Sequence, residues 1–200
     1  MIPVFDFVVK PSGSRYSNSV KVGDSELILN TEVFNHQYIN RTAIIHRVPL
    51  YNPLQLKEGD EVIVHHNVFR RWHDMKGREK NSRSFLTEDE YLVSQDQLYM
   101  YRSNEAWNTI PGYTFVKPLK AIDKYSLTPE RPLIGVVKYS DGSFLPTQLV
   151  GFSPGDEFEF IIESERLYRV MNKFINIEYE YQGDEEEYNP SWAESGGRAN

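Results

Sequence analysis

Imidazole binds metals and moves protons near neutral pH, so chemistry is first sought at the histidines. Four of the five fall close together: His46, the adjacent pair His65 and His66, and His73. The pair lies in EVIVHHN (61–67), which alternates as a strand does. Neighbouring side chains on a strand face opposite ways, so the two rings are not expected to share one ion. With no Asp or Glu at ligand spacing on the same face, one half-buried and one exposed histidine is the expectation rather than a metal centre. The carboxylates Glu88, Asp89 and Glu90, and again Glu185, Glu186 and Glu187, form runs typical of solvated surface. The chain has no cysteine, hence no thiol nucleophile, thiolate ligand or disulfide. Phosphate-cradling glycine loops and the GxSxG spacing are also missing. No enzymatic activity, metal or cofactor is expected.

The remaining chemistry is apolar. In GDSELILNTEVFN (23–35) the aliphatic side chains of Leu27, Ile28 and Leu29 stand between polar neighbours. Two readings are open. VKVGDSELILNT can form a hairpin with Leu27 and Leu29 facing a core, or the tripeptide can ride on an exposed loop that enters a groove on another protein. Burying three aliphatic side chains returns roughly 5 to 9 kcal/mol, whereas ordering about ten flexible residues costs on the order of 10 kcal/mol. One such loop binds weakly, and a ring of copies raises its effective concentration.

The elements that must position these residues are strands. Of 200 residues, 40% are hydrophobic and 14% aromatic, enough to bury a core, and 13 Tyr and 11 Phe without a helical apolar period favour an all-β fold. The longest apolar runs fall far short of the roughly 20 residues of a membrane span, and MIPVFDFVVKP does not read as a leader. A soluble, cytoplasmic protein with no membrane partner is expected. A net charge of -7 argues against nucleic acid as a partner. The local exception, FRRWHDMKGREKNSR (69–83), mixes both signs and reads as a solvated loop.

The chain also repeats itself. IPVFDFVVKP (2–11) returns as IPGYTFVKP (110–118), LKEGDEVIVHHN (56–67) as FSPGDEFEFIIES (152–164), and EYLVSQDQLYMYR (90–102) as RLYRVMNKFINIEYE (166–180), in the same order. Each unit has an opening strand ending at Lys-Pro, an excursion, a middle strand, a Gly-Asp turn and closing strands. Short strands at regular spacing suggest small barrels. SNEAWNTI (103–110) reads as the link between units, and the acidic, Gly-rich 183–200 as a disordered tail.

Val-Val-Lys (8–10), the tripeptide 27–29, Arg-Thr-Ala-Ile-Ile (41–45), LKEGDEVIVHHN and EYLVSQDQLYMY, in that order, resemble the GroES-type co-chaperonins, the lids of chaperonin rings. The resemblance covers about residues 2–102 and, more weakly, 110–182, similar to the tandem co-chaperonins of plastids and some bacteriophages. It implies two tandem GroES-like small β-barrels, 1–105 and 110–182, before the tail. It also implies that Leu27, Ile28 and Leu29 insert between two helices of a chaperonin apical domain. The implied partner is a GroEL-type ring, with unfolded client protein enclosed indirectly. The implied assembly is a homo-oligomeric, heptameric ring, in the host cytoplasm if the chain is viral. AIDKYSLTPERPL (121–133) has no aliphatic tripeptide, so only the first unit is expected to grip. The alternative is a virion or other structural assembly protein built from two barrels, which would bury Leu27 to Leu29 permanently.

Overall fold

The computed structural model describes residues 2–16, 19–22, 25–28, 39–103, 105–123, 125–180 and 185–194, with 19–22 and 25–28 as backbone only. The fold is nearly all β, and the chain divides between Ala106 and Trp107 into two compact units.

The first unit carries β1 (Phe7–Pro11), β2 (Ser19–Val22), β3 (Ser25–Ile28), β4 (Thr42–Arg47), β5 (Glu61–Val64), β6 (Arg71–His73), β7 (Glu79–Asn81), β8 (Tyr91–Val93) and β9 (Leu98–Ser103), and β10 (Ala106–Thr109) runs through the division. The second carries β11 (Tyr113–Lys120), β12 (Glu130–Ser140), β13 (Leu149–Phe152), β14 (Phe158–Ile162), β15 (Glu165–Met171), β16 (Ile175–Tyr179) and a short helix, α1 (Ser191–Glu194). The main sheets run β10-β9-β5-β4-β1-β8 and β14-β15-β11-β12-β13-β16, while β2-β3 and β6-β7 form separate pairs.

Five strands of each sheet correspond in order and register. Val9, Lys10 and Pro11 face Ile45, Ile44 and Ala43; Val116, Lys117 and Pro118 face Val137, Val136 and Gly135. Both pairs skip one residue at the same place, His46 in one and Lys138 in the other. Val9 meets Tyr91 on its other side as Val116 meets Tyr168. A second bulge recurs between Ile63 and Val64 and between Gly151 and Phe152. Bulges are specific devices that bend a strand, so two shared bulges in one register mark the same architecture.

This register reassigns one motif. The strand in the place of β5 is β13, not the strand that follows Gly155-Asp156, which is β14 on the far edge of β15. The turn equivalent to Gly59-Asp60 is Thr147-Gln148. Asp60 Oδ2 accepts the Lys57 amide at 2.8 Å as Gln148 Oε1 accepts the Leu145 amide at 2.6 Å. Gly59 and Thr147 both sit at positive φ, 92° and 72°. Asp156 does something else: its Oδ2 accepts the Met171 amide at 2.7 Å and its Oδ1 meets the Arg169 guanidinium at 3.3 Å.

Closed barrels were expected, and the sheets are instead curled but open. Strands β8 and β9 are four strand spacings apart, about 19 Å in a flat sheet, yet a single 3-10 turn (Gln95–Gln97) joins them. That connection spans only about 13 Å, so the sheet must curl. The same holds for β15 and β16 across Asn172–Phe174. Closure is forestalled because one edge of each seam already has a partner: β10 lies on β9, and β14 on β15.

The acidic tail, expected to be disordered, is attached over 185–194. Beyond Val116 strand β15 turns away to pair with β14, leaving the end of β11 open, and the tail fills it. The Lys120 amide donates to the Glu186 carbonyl at 2.8 Å and the Tyr188 amide to the Pro118 carbonyl at 2.8 Å. Ala193 of α1 is buried. Asn189 Oδ1 accepts both Lys117 Nζ at 2.8 Å and the Arg166 amide at 2.9 Å. Backbone pairing and buried partners hold a polar tail that composition alone reads as free.

Candidate functional site

β1 and β4 are joined through residues 12–41, and the equivalent strands β11 and β12 through 121–129, after a ladder that extends beyond Pro118 to Lys120 and Glu130. The first excursion is clamped at its base. Asn40, 1% exposed, donates through Nδ2 to the carbonyls of Ser12 and Ser14, both at 3.0 Å, and its Oδ1 accepts the Thr42 amide at 2.8 Å. The Ser12 amide donates to the Thr42 carbonyl at 2.9 Å, and a bridge joins the buried Tyr16 and Ile39. Arg15 donates to Asn81 Oδ1 and to the Phe69 carbonyl, both at 3.0 Å, and lies over the Tyr91 ring. Burial holds its guanidinium below the ordinary value. The Arg71 amide donates to the Tyr16 hydroxyl at 2.7 Å. The stem is thereby tied to the segment between β5 and β8.

Within the excursion, Leu27 and Ile28 belong to β3, which pairs antiparallel with β2 so that Leu27 faces Val20 and Ile28 faces Ser19. Leu29 lies outside the described residues. The backbone of 19–22 and 25–28 therefore follows the hairpin reading.

The second excursion presents what a search for a contiguous tripeptide missed. Ile122, Tyr125 and Leu127 are 82%, 93% and 103% exposed, among the most exposed large apolar side chains described. The loop holds its shape locally. Asp123 Oδ1 accepts the Tyr125 amide at 2.9 Å, the Ala121 amide donates to the Pro129 carbonyl at 2.9 Å, and the Thr128 hydroxyl donates to the Glu130 carbonyl at 3.0 Å. Asx turns of this kind fix a loop without a core beneath it, leaving its apolar residues in water. The signal was present in sequence as apolar residues spaced through AIDKYSLTP.

The histidine pair differs from expectation. Strand β5 ends at Val64, so strand alternation does not reach the pair. The rings of His65 and His66 stack with centroids 4.2 Å apart, and both residues are half-buried. His65 Nδ1 accepts the Asn67 amide at 3.0 Å, and His46 Nε2 lies 3.2 Å from Glu90. Among the described residues, no group of three or more His, Asp or Glu is arranged to hold a metal ion.

The densest set of ionisable groups ties strands together. Arg166 of β15 bonds Glu130 of β12, Glu159 of β14 and the Tyr168 hydroxyl, and Tyr168 donates to Glu130 at 2.6 Å. Burial, then the bond to Glu130, pushes the Tyr168 hydroxyl well above its ordinary value. Lys117, 2% exposed, is pushed below its ordinary value by burial, with Glu165 at 3.8 Å as its nearest charge. These groups are occupied by one another, which suits cohesion rather than catalysis.

The chain matches no family model, no curated protein and no solved structure. The likeness to co-chaperonins therefore rests on the residues quoted for it. Among the described residues, no helix is long and apolar enough to cross a membrane.

Proposed function

We propose that this chain is a lid of the co-chaperonin kind. It docks on a chaperonin ring through apolar residues carried on the excursions, and it encloses a folding client without chemistry of its own. One observation carries the reading: two units with the same strand register each send out an excursion between equivalent strands, the first clamped at its base by Asn40 and the second bearing the exposed Ile122, Tyr125 and Leu127. A stapled stem and a paired β2-β3 lower the ordering cost of docking, since part of the chain is already in place. Leu27, Ile28 and Leu29 supply the main grip. Ile122, Tyr125 and Leu127 add a second contact from the other unit.

The test mixes the protein with a GroEL-type ring and ATP. Ile28→Asp is expected to abolish the complex with the melting temperature unchanged, and Leu127→Asp to weaken it. Unfolding of Ile28→Asp would show that the residue belongs to a core, and the lid reading would fall.

A second reading, a structural assembly protein, is favoured by another patch. Ile2, Val4, Phe5, Leu50 and Tyr51 are 52% to 73% exposed, with Phe5 and Tyr51 ring centroids 6.3 Å apart. Exposed apolar patches mark contacts with other molecules. A lid ring uses such a patch too; an assembly protein would form its particles without a chaperonin.

A further inference from the structure

The segment between β5 and β8 anchors the stem of the first excursion, and it also bounds a cavity. A pocket of about 500 Å³ opens among Asn67, Arg70, Trp72, Ser82, Arg83 and Gln97, within the range of small-molecule sites. Its walls hold two guanidinium groups, an indole, two amides and a hydroxyl, and no carboxylate. In a chain of net charge -7 this is a local reversal of sign.

The neighbouring arginines are engaged: Arg71 pairs with Glu79 at 3.3 Å, and Arg15 is held by Asn81 and the Phe69 carbonyl. Arg70 and Arg83 meet no acid among the described residues. Arg70 is half-buried, and an anion in the pocket would give its guanidinium a charged partner. Guanidinium forks match phosphate oxygens two at a time. Trp72, 43% exposed, offers an indole face on which a planar base can stack. The Ser82 hydroxyl donates to the Val68 carbonyl at 2.5 Å, which leaves its lone pairs as acceptors. Gln97 Oε1 accepts the Ser94 amide at 3.3 Å, which leaves its NH2 as a donor. Donors, an acceptor, a stacking face and paired cations together fit a base carrying phosphate.

We propose that this pocket binds a nucleoside phosphate through Arg70, Arg83 and Trp72. A strand of nucleic acid fits less well, because the net negative charge of the chain repels a long polyanion. The inference stands apart from the lid reading and survives its failure.

The test titrates the full-length protein with ADP, following indole emission and the heat of binding. Saturable quenching is expected. In Trp72→Phe the quenching should vanish while the heat remains. Arg83→Gln changes an exposed side chain and should leave the melting temperature unaltered, yet weaken ADP by about tenfold, the loss expected for one charge-assisted hydrogen bond. Arg70→Gln should do the same, and adenosine should bind far more weakly than ADP. The proposal is overturned by silence toward ADP, by unchanged ADP affinity in Arg83→Gln, or by inorganic phosphate or adenosine binding as tightly as ADP. It is equally overturned by a short oligothymidylate that binds more tightly than ADP with steep salt dependence.

Discussion

Thr147 holds a turn that its sequence does not announce and that strand register identifies. A β-branched side chain at φ 72° occupies backbone space that glycine enters freely, and glycine stands at the equivalent position, Gly59 at 92°. Thr147→Gly should therefore stabilise the second unit by about 1 kcal/mol, seen as a higher denaturant midpoint at unchanged slope. PGD at 154–156 took the place of that turn in the sequence because glycine and aspartate are what such turns ordinarily use. Its Asp156 is instead buried against Arg169, which is 3% exposed and also lies under the Tyr113 and Phe158 rings. Asp156→Ala removes the partner of a buried cation and should cost about 3 kcal/mol in urea unfolding. Local composition pointed to Gly155-Asp156; only the ladder shows that Thr147-Gln148 leads into the strand equivalent to β5.

The strands announced themselves through Val-Lys-Pro and through alternation in 158–162, but only β1 ends at its proline as expected; β11 runs past Pro118 to Lys120, because it stays paired with β12. The clamp that holds the first excursion was not legible, since an isolated asparagine carries no pattern until Ser12, Ser14 and Thr42 are brought around it. Asn40→Ala would leave two carbonyls and one amide without their partner. A loss of about 3 kcal/mol is expected, from the cost of unsatisfied buried groups. Hydrogen exchange should quicken at the amides of Ser12 and Asn40, which donate to Thr42 and Arg15. If the excursion is the grip, chaperonin affinity should fall as well, although Leu27, Ile28 and Leu29 are untouched. Faster exchange with full affinity would separate the stem from the grip.

At the scale of the molecule, the two units differ most in what finishes their sheets, and the tail is where this can be tested. In the second unit the tail bridges the end of β11, Leu119 to Glu187, and caps Lys117, a lysine whose burial disfavours its own charge. Truncation after residue 184 would remove the carbonyl that accepts the Lys120 amide, the amide that donates to the Pro118 carbonyl, and the oxygen that receives Lys117 Nζ. Exchange at Lys120 should then quicken while amides of β1 and β4 keep their protection, because none of their hydrogen bonds involves the tail. The pH response carries a sign. Folding lowers the pKa of Lys117, so between the folded value and the ordinary 10.5 the unfolded chain holds a proton that the native chain has released. Stability from this group therefore rises with pH in that window. Tyr168 works oppositely. Its raised pKa contributes stability that is present below the ordinary 10.0 and lost as pH climbs above it. Unfolding free energy followed from pH 8 upward should turn downward above about pH 10, and Tyr168→Phe should flatten that descent. A descent unchanged in Tyr168→Phe would mean that the bond to Glu130 does not persist in solution.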